Sequence, residues 1–293
     1  MSDMNFIDDK TIRTNEFNNL SFILKDLTGI NLPLNSKNIA LMSSRLRKVL
    51  LQLGNISYKD LIVKLEFNDP VAIKLFVNAM TTNTTYFFRE NDHFDFLSKN
   101  IHKLCSLKIK ARENELRIWC AAASSGEEPY TILITLLESG IAKDIKIKML
   151  ATDIDANVIR QAIEAVYSQE RVEEVSLIIK QKYFTKIIKN NLSYYAINQD
   201  LKSYIKFGVL NLLENKYPFK HRFDIIFCRN VLIYFDNQTS KMVINKLIDV
   251  LNVGGYLFLG HSETMVGQIQ GLQRIGPAIY QKVSNLDLVD ISA

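Results

Sequence analysis

The sequence predicts an α/β protein built on a parallel sheet and preceded by a small all-helical region. Between Ile12 and Thr81 apolar residues recur at spacings of three and four, the period of a helix face. Beyond Arg89 the rhythm changes, and strand-length runs of β-branched or apolar residues alternate with helix patterns, as in βαβ units. With 293 residues, of which 47% are hydrophobic and 23% charged, the chain can bury two cores or one large one.

The helical region divides at recognisable stop and start signals. Gly29 closes a first helix and Gly54 a second, where a left-handed residue is needed. Ser57 with Asp60 forms a capping-box pattern for a third helix, and Asp69-Pro70 supplies a cap and first-turn proline for a fourth. The second helix carries the basic cluster Ser44-Arg45-Leu46-Arg47-Lys48, which reads either as a solvated face or as a docking surface for an acidic partner. In the second region strands are expected at Leu116 to Ala122, Ile145 to Thr152, Tyr204 to Val209, Phe223 to Cys228 and Tyr256 to Gly260. Helices are expected at Pro129 to Ser139, Ala156 to Val166 and Gln238 to Asn252. The stretch KYFTKIIKNNLSYYAINQDLKSYI, residues 182–205, alternates polar and apolar residues about an Asn190-Asn191 turn and reads as a small antiparallel insertion.

Composition narrows the class of protein. The longest mostly apolar runs, such as Ile132 to Leu137 and Ile225 to Cys228, fall far short of the ~18 residues that cross a bilayer. Met1 to Lys10 carries Asp3, Asp8 and Asp9 where a secretory signal needs basic and apolar residues, so a cytoplasmic location is expected, without membrane insertion. Cys105, Cys120 and Cys228 are widely separated, which suggests neither a disulfide framework nor a zinc site. The net charge of +5 permits an acidic partner or nucleic acid, but the lysines are interleaved with acids and decide nothing alone.

Four stretches can carry chemistry. The first strand runs into Cys120-Ala121-Ala122-Ala123-Ser124-Ser125-Gly126-Glu127-Glu128-Pro129-Tyr130, small residues opening onto a helix. Such a turn lets a ligand reach the backbone, or is simply a tight connection whose acids complement the helix dipole. The second strand ends in Asp153, about one βαβ repeat later, where a carboxylate can accept both hydroxyls of a ribose, while Asp155 is better placed as the helix cap. The fourth strand ends in Phe227-Cys228-Arg229-Asn230-Val231-Leu232-Ile233-Tyr234-Phe235-Asp236, at the sheet edge where open α/β folds bind ligands. Upstream, Thr81-Thr82-Asn83-Thr84-Thr85-Tyr86-Phe87-Phe88-Arg89-Glu90 reads on its own as a capped connection with two core phenylalanines.

Taken together, TTNTTYFFRE, AAASSGEEPY, ATDID, NLL, FCRNVLIYFD and GGYLFLGHSE resemble the CheR-type chemotaxis receptor glutamate O-methyltransferases, in order and at plausible spacing from about Ile30 to Tyr280. The resemblance implies a Rossmann-like seven-stranded S-adenosylmethionine-dependent methyltransferase domain over residues 83–293, with an inserted β-subdomain at about 182–205. It also implies a helical domain over residues 1–82, a candidate for receptor docking, with a linker to about residue 90. Carried over residue by residue, it makes Asn83, Thr85, Arg89, Glu128, Asp153, Asn211, Leu212, Arg229 and Asn230 cofactor-binding, with Arg89 and Tyr234 catalytic and no metal. The implied partner is the cytoplasmic domain of a chemotaxis receptor, met by a monomer, and the product is a glutamate methyl ester with S-adenosylhomocysteine. Some members use the insertion to hold a peptide at the receptor's carboxyl terminus and carry a glycine-rich loop there. Lys186-Ile187-Ile188-Lys189-Asn190-Asn191-Leu192 has no glycine, so independence of that peptide is expected.

The chemistry agrees with these residues. Methyl transfer to a carboxylate is an in-line displacement by a group already ionised at neutral pH, so alignment matters and a strong base does not. A guanidinium orients a carboxylate through paired hydrogen bonds, which suits Arg89, with Tyr234 a second donor and His261 structural. A methyltransferase acting on nucleic acid or a small molecule is the nearest rival, but Arg229-Asn230-Val231-Leu232 stands where an Asn-Pro-Pro-Tyr base-binding motif would fall. A noncatalytic signalling module is the other, opposed by Arg89, Glu128, Asp153 and Tyr234.

Overall fold

The computed structural model describes residues 12–263 and 270–284. They divide into two compact units, one of residues 12–82 with 234–239 and the other holding the remainder.

The helical unit contains α1 (Thr14–Thr28), α2 (Ser36–Gln52), α3 (Tyr58–Glu66) and α4 (Pro70–Met80). The caps are those the sequence signals: Gly29 ends α1 at φ 79°, the Ser57 hydroxyl and Asp60 carboxylate cap α3 reciprocally, and Asp69 Oδ1 accepts from Val71 N and Ala72 N. Phe17, Leu20, Leu24, Met42, Leu46, Leu61 and Phe76 are fully buried and form its core. The basic cluster on α2 splits by face. Leu46 is in that core and Arg47 and Lys48 are exposed. Arg45 donates from Nη1 to the Met80 and Thr81 carbonyls and from Nη2 to Thr82 Oγ1, satisfying carbonyls that the end of α4 leaves open. The residues 234–239 are held to these helices by Asn31 N donating to the Tyr234 carbonyl and by Lys25 paired with Asp236 at 2.7 Å.

The second unit continues with α5 (Asp92–Lys110), β1 (Glu115–Cys120), α6 (Glu127–Glu138), β2 (Lys146–Asp153), α7 (Ala156–Glu164), β3 (Val166–Ser168), α8 (Leu177–Tyr183), β4 (Phe184–Lys189), β5 (Leu192–Ile197) and α9 (Gln199–Lys202). It closes with β6 (Ile205–Val209), β7 (Phe223–Cys228), α10 (Asn237–Val250), β8 (Leu251–Leu259), β9 (Leu272–Gly276) and β10 (Ile279–Lys282). Seven strands form one sheet in the order β6-β2-β1-β7-β8-β10-β9, parallel except that β10 runs antiparallel to both neighbours. β7 is buried along its whole length, as a strand covered on both faces must be. The fold class is therefore the one expected. A separate antiparallel sheet has the order β3-β5-β4, its β4–β5 hairpin turning through Asn190 and Asn191 at φ 49° and 61°, the signs that a tight two-residue hairpin turn requires.

Three details differ from the sequence pattern. The expected helix from Ala156 to Val166 stops at Glu164, because Ala165 turns left-handed at φ 51° and Val166 starts β3, so the small sheet also takes in residues outside 182–205. β8 begins at Leu251, five residues before Tyr256, since Leu251 still pairs with Phe223. α5 lies where no helix is singled out above, although Phe94, Leu97, Ile101 and Leu104 repeat at three and four and are buried.

Candidate active site

β1 has β2 on one side and β7 on the other, so the chain direction of winding reverses between β1 and β7. The carboxyl ends of these strands form the crevice where such sheets take ligands. Past Cys120, Ala121 N donates to the Phe227 carbonyl and Ala123 N to the Thr152 carbonyl, tying the small-residue turn to both neighbouring strands. Gly126 is required at its end. Its φ is 100°, and a Cβ there would stand 2.8 Å from the Tyr167 hydroxyl and 2.9 Å from Ala162 Cβ.

Asp153 ends β2 and is 9% exposed. Its Oδ2 accepts from Ser124 N at 2.9 Å and its Oδ1 from Asp155 N at 3.0 Å. Burial raises its carboxyl above the usual range, against these backbone donors. Each oxygen keeps lone-pair capacity for a further donor. Asp155 caps α7 through Asn157 N and accepts from Asn83 Nδ2 at 2.9 Å, while the Asn83 carbonyl accepts from Ser124 Oγ. Asn83 is thereby drawn onto the ends of β1 and β2.

The end of β7 is organised by Arg229, which is 3% exposed. Its Nη1 pairs with Glu128 Oε2 at 3.0 Å, and its Nη2 with Glu90 Oε2 at 3.0 Å and the Arg89 carbonyl at 2.5 Å. Its guanidinium carbon also lies 5.4 Å from the centre of the Phe94 ring. Glu128 opens α6 and accepts from Cys120 Sγ; burial holds its carboxyl above the ordinary range despite Arg229. For Glu90 the balance is opposite: burial, which would raise it, is outweighed by the Asn230 hydrogen bond and Arg229, so its carboxyl lies low. Asn230 adopts φ 57°, with Nδ2 donating to Glu90 Oε1. Glu263 holds that conformation by accepting from the backbone N–H of Asn230, Leu232, Ile233 and Gly260.

Arg89 is half-buried, donates to the Thr84 carbonyl and lies 5.8 Å from the centre of the Tyr86 ring, and among the described residues it makes no ion pair. Thr85 is half-buried in the same stretch. Asn211 Oδ1 accepts from Leu213 N just beyond β6, and Leu212 beside it is buried. Tyr234 groups with the helical unit. Glu90 and Glu263 are the partners that reading the motifs by residue type passed over. Both stand at motif ends, in FFRE and GHSE: Glu90 answers the buried Arg229, and Glu263 the backbone N–H groups after β7.

The donor set suits a charged, diol-bearing nucleoside ligand: a buried carboxylate at the end of β2, a small-residue turn, and an acid–guanidinium network at the end of β7. A family profile described as CheR methyltransferase, SAM binding domain, matches residues 83–279, which makes this unit that of a methyltransferase using S-adenosylmethionine. The chain is 38% identical over 275 residues to a chemotaxis protein methyltransferase of Borreliella burgdorferi, covering 92% of this chain and 95% of that one. It is 38% identical to chemotaxis protein methyltransferase 2 of Pseudomonas aeruginosa, covering 87% and 88%, and 36% identical to the chemotaxis protein methyltransferase of Salmonella typhimurium, covering 81% and 80%. The chain belongs to the CheR methyltransferase family. Among the described residues no helix is long and apolar enough to cross a membrane.

Proposed function

We propose that this methyltransferase acts on glutamate side chains in the cytoplasmic domain of chemotaxis receptors, yielding glutamate methyl esters and S-adenosylhomocysteine. The observation that carries the reading is Arg89, a half-buried guanidinium that makes no ion pair among the described residues, beside a network in which Arg229 pairs with two carboxylates. A guanidinium of this kind suits an incoming carboxylate, which it binds in a fixed orientation.

S-adenosylmethionine, when bound, supplies a methyl group on a positively charged sulfur. Asp153 is assigned to its ribose hydroxyls, Asn211 and Leu212 to the adenine, and Asn83, Thr85, Glu128, Arg229 and Asn230 to the remainder of the cofactor. Arg89 touches both cofactor and acceptor, and Tyr234 is a second donor to the acceptor. No side chain need remove a proton, because the acceptor is ionised at neutral pH. Residues 83–293 carry catalysis, residues 1–82 dock the receptor, and the protein works as a cytoplasmic monomer without nucleic acid.

Incubation with methyl-labelled cofactor and receptor-containing membranes from the host tests the reading. The expected result is label on the receptor that alkali releases, as from a methyl ester. Label that resists alkali, or that enters nucleic acid or a small molecule instead, overturns it.

A further inference from the structure

His93 stands in the first turn of α5 with 0% exposure. Its Nε2 lies 3.1 Å from the Pro277 carbonyl oxygen, which can only accept, so the ring proton sits on Nε2 and Nδ1 carries a lone pair. Among the described residues that buried Nδ1 has no hydrogen-bond partner, and it lies 3.8 Å from Glu90 Oε2. A lone pair facing a carboxylate in a buried setting is repulsive unless a proton or a metal cation lies between them. The His261 ring packs edge-on to that of His93, centroids 4.9 Å apart. One ligand atom from each of Glu90, His93 and His261 lies within 4.8 Å of the others.

We infer that Glu90, His93 and His261 form a binding site for a divalent transition metal of the zinc type, and that its occupation inhibits methyl transfer. Two imidazoles and a carboxylate with a position left open is a zinc donor set, and bond lengths of about 2.0–2.2 Å are reached by closing movements of Glu90 and the exposed His261. Each ring already has the outer partner that orients a metal-bound imidazole: the Pro277 carbonyl on His93, and Asp92 Oδ2 at 3.0 Å from His261 Nε2. The exposed side of His261 gives the ion a way in. Inhibition follows from what Glu90 otherwise holds, Arg229 and Asn230 at 3.0 and 3.1 Å, because a cation that draws the carboxylate away loosens the end of β7. The inhibitory part rests on the proposed function; the binding part does not.

Calorimetric titration of the metal-free full chain with Zn2+ alone, with Co2+ as a spectroscopic probe, tests the site. One saturable site of micromolar or tighter affinity and a tetrahedral Co2+ spectrum are expected. His261→Ala, on an exposed ring, should weaken binding by more than about 10-fold, and Asp92→Asn by about 10-fold or more. No saturable binding, or binding unchanged in His261→Ala, overturns the site. In the methylation assay Zn2+ should slow the wild type, a chelator should restore it, and His261→Ala should resist the metal. Saturable binding without inhibition overturns the inhibitory role.

Discussion

The two units bury different things. Among the described residues the helical unit buries no charged side chain, and its polar groups cap helices at the surface. The sheet unit buries Lys108, Glu127, Glu128, Asp153, Asp155, Asp224, Arg229 and Glu263, mostly at the carboxyl ends of β1, β2 and β7. Burying charge costs free energy that pairing only partly returns, whereas apolar burial is favourable outright. The helical core is therefore organised by stability alone. The charges at the strand ends, where the ligand site is proposed, are held at some expense to it.

The sharpest way to break this contrast is to remove one keystone from each unit. Arg229→Ala leaves the buried Glu128 and the half-buried Glu90 without their partner and is expected to lower stability by about 3–5 kcal/mol. Phe76→Ala leaves a cavity in the helical core and is expected to cost about the same, about 3–5 kcal/mol. Denaturant unfolding should find the two alike, and titration with S-adenosylhomocysteine should separate them, with affinity lost only in Arg229→Ala. Equal cofactor affinity in both would remove the network from the binding site.

Next in size are substitutions inside the site. Arg89→Ala, which removes a guanidinium that makes no ion pair among the described residues, is expected to leave the thermal transition within a few degrees of wild type while turnover falls by about 100-fold, as lost alignment commonly causes. Normal turnover would make Arg89 structural. Asp153→Ala removes charge-assisted hydrogen bonds worth ~1.5–3 kcal/mol each, so cofactor affinity should fall by about 10-fold to 100-fold. Unchanged affinity in the folded variant would take the ribose away from Asp153.

How far the sequence foretells each unit follows from the same contrast. Caps at Gly29, Ser57 and Asp69 are local, so neighbouring residues suffice to read them. β7 matches its expected bounds because a fully buried strand is a nearly continuous apolar run, here interrupted by Asp224 alone. β3 has three residues and begins after a left-handed alanine, which leaves no glycine or proline signal. In the site, the pairing of Arg229 with Glu90 spans 139 residues and with Glu128 spans 101, and no spacing rule reaches that far. Motif resemblance points to Arg229 and Asn230, but the acids that hold them become visible only when the strand ends are brought together.

A smaller effect distinguishes the basic residues of α2. Arg45→Ala is expected to cost about 1.5–3 kcal/mol, since it uncaps the end of α4, and to leave cofactor affinity untouched. Reversal of the exposed Arg47 and Lys48 to Glu should leave stability unchanged and slow receptor methylation in a way that added salt reduces. If methylation at low salt is unaffected, these two residues are a solvated face.

The smallest expected effect, none at all, concerns the β3-β5-β4 sheet. β4 is an edge strand, and an edge strand is where an extended peptide can add itself to a sheet. Two features weigh against that use here. The hairpin closes directly through Asn190 and Asn191, leaving no loop long or pliable enough to fold over a peptide. The edge also carries exposed Lys186 and Lys189, and lysine along an edge discourages strand addition. A tether raises local substrate concentration to about the millimolar range, so an enzyme without one must meet its receptor from solution. Titration with a pentapeptide from the receptor's carboxyl terminus should therefore show no saturable binding, and trimming that tail should leave the methylation rate unchanged. Micromolar binding, or a large loss of rate on trimming, would make β4 a docking edge and place the two asparagines at its rim.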